Sequence, residues 1–135
     1  MRLRRSRNLL FLTEIILAIA VFAVCAVICV SLLLQAERIS EQSSDLTQAV
    51  FLAQNAVEVA RLADNLLTVA EILGGSLVDS LIVVFYDDNW QRVLELELAK
   101  YRLQLEIVDG PFLREIIVEV AAAEPIYSLR STVLR

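Results

Sequence analysis

Histidine is absent from this 135-residue chain, and Lys100 is its only lysine. Without histidine, the usual base for activating a serine or cysteine nucleophile is missing. Glycine occurs only at Gly74, Gly75 and Gly110, so there is no glycine-rich loop to cradle a phosphate. Cys25 and Cys29 are the only cysteines, one helical turn apart inside an apolar run, and no cysteine follows them. A disulfide framework in the rest of the chain is thereby excluded. The prolines are Pro111 and Pro125, both late, so nothing before them obliges a helix to break.

What is present is concentrated at the N-terminus. Arg2, Arg4, Arg5 and Arg7 precede the run LLFLTEIILAIAVFAVCAVICVSLLLQA over residues 9–36, and Ile15 to Leu34 carries no charge. A helix of that uncharged length spans about 30 Å, the thickness of a bilayer's hydrocarbon core. The pattern predicts a transmembrane helix over 9–36 behind a basic cytoplasmic leader over 1–8. A cleaved secretory signal competes with this reading, since Leu34-Gln35-Ala36 resembles a cleavage site. The run is longer than the usual apolar core of a signal, about 7–15 residues, and it contains Glu14, so a retained anchor is expected. Ala18, Ala20, Ala23, Ala26 and Ser31, with the two cysteines, are small residues suited to close helix packing in lipid. A carboxylate in hydrocarbon costs about 3 kcal/mol, which makes Glu14 the first candidate functional residue.

Charge is divided along the chain. Residues 36–135 hold 8 basic and 16 acidic groups, a net of −8. Arginines on one flank and acids on the other place the N-terminus in the cytoplasm and the remainder outside. An acidic ectodomain also argues against nucleic acid as a partner, which calls for a basic footprint.

From Glu37 to Leu73 there is neither glycine nor proline. Leu46, Val50, Ala53, Val57, Ala60 and Leu67 recur at helical spacings, an apolar stripe opposite Glu41, Asp45, Gln48, Gln54, Asn55 and Glu58. An extracytoplasmic amphipathic helix is expected over 37–75, with a break near Asp64-Asn65 where Asp caps a short second helix, and a stop at Gly74-Gly75. Residues 76–135 change period. Leu81 to Tyr86 is β-branched and aromatic, Tyr101 to Ile107 and Glu115 to Val120 alternate apolar with polar, and Tyr127, Leu129 and Val133 form the inner side of a last strand. Asp87-Asp88-Asn89, Asp109-Gly110-Pro111 and Glu124-Pro125 supply the turns. Residues 91–100 read equally as strand or short helix. The expected fold class is α+β: a long N-terminal membrane-anchored helix packed on a C-terminal antiparallel sheet of four strands.

No catalytic residue, cofactor or metal is expected. Asp87, Asp88 and Asn89 are oxygen donors of the kind calcium takes, but three consecutive residues suit a plain turn better. Glu95, Glu97, Glu106, Glu115 and Glu119 alternate with apolar residues, the mark of a solvated face and not of an acid/base pair. Tyr86, Trp90 and Tyr101 suit either an aromatic binding surface or sheet packing, and packing is the expectation.

The stretch Phe11-Leu12-Thr13-Glu14-Ile15-Ile16-Leu17-Ala18 behind a basic leader, followed by a long helix and an antiparallel sheet, resembles the type IV pilin and type II secretion pseudopilin superfamily. DDNW at Asp87 to Trp90, AKYRLQLEI and PIYSLRSTVL look like small pilin-like proteins of Gram-positive anaerobes. The resemblance implies a structural subunit of a cell-envelope filament or of a secretion or DNA-uptake machine. Its partners would be the membrane and other pilin-like subunits met through the N-terminal helix, and Glu14 would set assembly register. The superfamily's peptidase cuts after a glycine five residues before the glutamate. Here that position is Leu9, so the ammonium that the glutamate meets after cleavage is not created by the usual route. The other reading is a single-pass anchored binding module that stays outside any filament.

Overall fold

The computed structural model describes residues 2–134, with side chains over 7–134. Helix α1 runs from Arg2 to Leu62 and α2 from Leu66 to Leu73. They are followed by β1 (Ser76–Val78), β2 (Leu81–Tyr86), β3 (Arg92–Val93), β4 (Tyr101–Asp109), β5 (Leu113–Ala121) and β6 (Pro125–Leu134). The chain forms two units, Met1–Gln42 and Ser43–Arg135.

In the first unit every described side chain is exposed. This part of α1 belongs to the one described helix long and apolar enough to cross a membrane. An exposed helix that is apolar all round suits lipid.

In the second unit, the α1 residues from Ser43 onward and α2 pack on one antiparallel sheet, in the α+β arrangement expected. The spatial order is β1-β2-β4-β5-β6, and the two-residue β3 pairs with the Tyr86 end of β2. Period-two alternation sends Ile82, Val84, Leu103, Leu105, Ile116, Val118 and Val120 to the helix side, where they are buried. Their cross-strand partners match face to face, Ile82 with Leu105 and Leu105 with Val118. Among the described residues no polar or charged side chain is buried.

The helix meets this face through part of the expected stripe, Ala53, Val57 and Ala60, joined by three further alanines. Ala49, Ala53, Ala56, Val57, Ala60 and Ala63 are buried, whereas Leu46 and Leu67 are 45% and 62% exposed. The sheet supplies the bulky side chains, and alanine on the helix lets the two surfaces approach closely. Leu46, Phe51, Leu62 and Leu67 turn out to solvent, while Leu52, Val59 and Leu66 pack partly against the core.

Three further details differ from expectation. The break in the helix lies where expected, but the cap is Asn65 and not Asp64: the Asn65 carboxamide oxygen accepts the Leu67 amide at 3.2 Å. The sheet has six strands and not four, since Ser76–Val78 and Arg92–Val93 also pair with β2. The β1–β2 turn is Asp79-Ser80, with φ of 49° and 72°. Positive φ at both central residues marks the mirror-image hairpin turn, usually signalled by Asn-Gly. Finally, residues 94–100 are neither strand nor α-helix. After β3 they form a short 3-10 turn at Leu96–Leu98. The Lys100 amide then bonds the Tyr86 carbonyl at 2.9 Å and returns the chain to β2. Leu94, Leu96 and Leu98 are left exposed, Leu94 at 93%.

The glycine stop is as expected. Gly74 takes φ 66° and ends α2, and Arg92 Nη1 donates to the Leu73 carbonyl at 2.9 Å. At Gly75 a Cβ would come within 2.8 Å of the Val83 carbonyl oxygen, so only glycine lets α2 pass that close to β2.

Candidate functional site

Glu14 lies on α1 and is exposed. It ends a shallow groove whose other lining residues are Leu17, Ala18, Val21, Phe22 and Cys25. Steps of three and four residues place all six on one face of the helix, so the carboxylate heads an apolar strip with small residues in its middle. Among the described residues no ion pair reaches Glu14. Thr13 Oγ1 donates to the Leu10 carbonyl at 2.8 Å, the bond that lets a hydroxyl sit in an apolar helix without an unmet donor.

Of the leader arginines, Arg7 has a described side chain and is exposed; the side chains of Arg2, Arg4 and Arg5 lie outside the described ones. Seven residues separate Arg7 from Glu14. That is close to two full turns, so both lie on one face about 10 Å apart along the axis, beyond ion-pair reach within one chain. Leu9 is exposed on the same apolar helix. Cys25 and Cys29 are free and exposed, and Cys25 shares the groove with Glu14. Glu14, Leu9 and the arginines stand out in the sequence one by one, and the spacing of seven between Arg7 and Glu14 already implies their shared face.

The aromatic group and the acidic turn belong to the second unit. Trp90 stacks on Tyr101 at 3.8 Å between ring centroids and lies tilted against Tyr86 at 6.3 Å. Both tyrosines are buried and Trp90 packs against the core, so the three close the end of the sheet as packing residues. Burial pushes both phenols above their ordinary pKa, which Arg92 partly offsets at Tyr86 and Lys100 at Tyr101. They stay neutral across the physiological range. Asp87 Oδ1 accepts the backbone amides of Asn89 and Gln91, each at 2.9 Å, and Asp88 pairs with Lys100. These carboxylates close a turn. The Asp88 contact, aided by the Tyr101 phenol, raises the Lys100 pKa.

No protein family, curated protein or solved structure matches the chain.

Proposed function

We propose that this protein is a minor pilin-like or pseudopilin-like structural subunit, anchored through 9–36 with its N-terminus in the cytoplasm and the sheet unit outside. The observation that carries the reading is Glu14, a carboxylate heading an otherwise apolar helix face. A buried charge in lipid needs a partner cation. Leu9 stands where the cleavable glycine would be, so the usual new ammonium is not the expected partner. Arg7 supplies the alternative. A second copy displaced by two helical turns, about 10 Å along the axis, brings its Arg7 level with this Glu14. Apolar packing along Ala18, Val21 and Cys25 accompanies that pairing.

The test uses a cysteine at Ser128 in a Cys25→Ala, Cys29→Ala background. On intact cells a membrane-impermeant maleimide should label it, which checks the orientation, and an impermeant bis-maleimide should link neighbouring copies. Glu14→Gln and Arg7→Gln should each leave insertion and labelling intact while removing most linked product. The charge-exchanged pair Arg7→Glu with Glu14→Arg should restore it. Linking unchanged by either single variant would assign Glu14 to a headgroup contact and withdraw the subunit reading.

Leu9 itself favours the second reading, an anchored module that displays the sheet unit to a partner and never enters a filament. Co-expression with an active prepilin peptidase should leave the wild-type chain at full length. Leu9→Gly should restore cutting, because the basic leader and Glu14 are already in place. Wild-type chain recovered with Leu10 as its first residue would show that leucine is accepted here, and would remove the argument for this second reading. The check is intact mass.

A further inference from the structure

We propose that the free edge of β6 is a docking site for an extended segment of a different protein, which joins the sheet as an added strand. The surface lies wholly in the second unit and does not depend on what Glu14 does.

The two edges of the sheet are built differently. One is broken into the three-residue β1 and the two-residue β3. The other is β6, ten residues long and bonded only to β5. Among the described residues no backbone group of β6 is bonded on its far side. Sheets blunt free edges with shortness, interior proline or charge. β6 is long, its proline is at its first position, and Arg130 is its one charge over 125–134. A row of unpaired N–H and C=O groups is complemented only by another extended backbone.

Beside this edge lies an open groove of about 440 Å³ between α1 and β6, lined by Gln54, Asn55, Val57, Glu58 and Arg61. Leu129 and Val133 face α1, so alternate side chains of an added strand would enter that groove. Arg61 already bridges it by donating to Ser131 Oγ at 2.7 Å. On the opposite face Arg130 meets Glu115 of β5 at 3.1 Å, and its side chain is still 70% exposed. A carboxylate on the added strand would complete a cross-strand charge row. At the far end Leu134 is 82% exposed beside its partner Leu113. The occupant therefore has an extended backbone, an acidic residue diagonal to Arg130 and an apolar residue level with Leu134.

A second copy of this chain is the poorer occupant, since β6 carries no carboxylate and would bring only another arginine to this edge. A parallel pair about an axis along the strands sets identical amides level, N–H against N–H, and no ladder forms.

The experiment uses the full chain in lipid nanodiscs and a fluorescein-labelled peptide of residues 113–121. That segment already pairs with β6 in the fold, with Leu113 level with Leu134 and Glu115 and Glu119 on either side of the position level with Arg130. Fluorescence anisotropy should show saturable binding, absent with empty nanodiscs and with a scrambled peptide. Arg130→Glu should weaken it at least tenfold, and a peptide with lysine at both glutamate positions should prefer that variant. Such a switch of preference would not arise from lost stability alone. Ser131→Pro and Thr132→Pro provide the backbone test. Adjacent N–H groups point to opposite sides of a strand, so one of the two removes only an outward donor. That variant should keep its melting temperature and lose binding. The proposal is overturned by an absence of saturable binding to the wild type, or by binding indifferent to Arg130→Glu. A dimer of the full chain that the peptide dissolves would assign the edge to self-pairing, and overturn it equally.

Discussion

A chain that begins at Ser76 should aggregate, whereas residues 37–135 should form a soluble, monomeric domain that unfolds cooperatively. The short chain loses α1 and α2, the elements that cover Ile82, Leu103, Leu105, Ile116, Val118 and Val120, each under 2% exposed in the whole fold. Burying one large aliphatic side chain contributes about 1.5–3 kcal/mol. Uncovering these six costs on the order of 10 kcal/mol, comparable to the entire stability of a domain, about 5–15 kcal/mol. A contiguous exposed apolar face of that kind drives association. Size-exclusion chromatography and far-ultraviolet circular dichroism of the two chains decide the matter. A monomeric, thermally cooperative Ser76–Arg135 chain would sink the helix-on-sheet packing as the source of stability.

In the 37–135 chain, Leu105→Ala should lower stability by about 2–5 kcal/mol, as expected for a buried leucine reduced to alanine. Leu105 sits mid-sheet on β4, level with Ile82 on β2 and Val118 on β5. Flanked by two paired strands and capped by the alanine stripe of α1, the site has little freedom to collapse around the cavity. The melting temperature should fall by roughly 10 °C or more, since each kcal/mol shifts a domain of this size by about 4–8 °C. Leu94→Ala removes the same atoms from a side chain that is 93% exposed, and should change stability by no more than about 0.5 kcal/mol. Urea unfolding of the two variants side by side makes the comparison. Equal losses would show that residues 91–100 are buried in solution.

Arg114 shows how the turn after β4 is tied to the helix end. It pairs with Asp109 at 2.8 Å and donates to the Ala63 carbonyl at 3.3 Å, supplying one of the acceptor bonds that a helix terminus leaves unmet. Asp109 lies just across the hairpin turn, but Ala63 is 51 residues away, and no pattern in the chain points to that contact.

The sequence by itself determined the apolar helix, the place of Glu14 within it, the helix stop at Gly74 and the faces of β4 and β5. These follow from local causes: unbroken hydrophobicity, a charge inside it, a residue free to adopt positive φ, and strict alternation at period two. Tertiary structure decided which residues join Ala53, Val57 and Ala60 on the buried side of the amphipathic helix. Leu46 and Leu67 are more hydrophobic than Ala49 and Ala56, yet the alanines are inside, because the sheet had already filled the interface with large side chains. It decided β1 as well, where Asp79-Ser80 makes a turn without the glycine that would announce it, held by pairing of Val78 with Leu81. Over 91–100 the alternation of Leu94, Leu96 and Leu98 is real in the sequence, but those residues have no neighbouring strand to pair with. Lys100 is drawn back to Tyr86 instead, so hydrogen bonding to a distant strand overrode the local pattern.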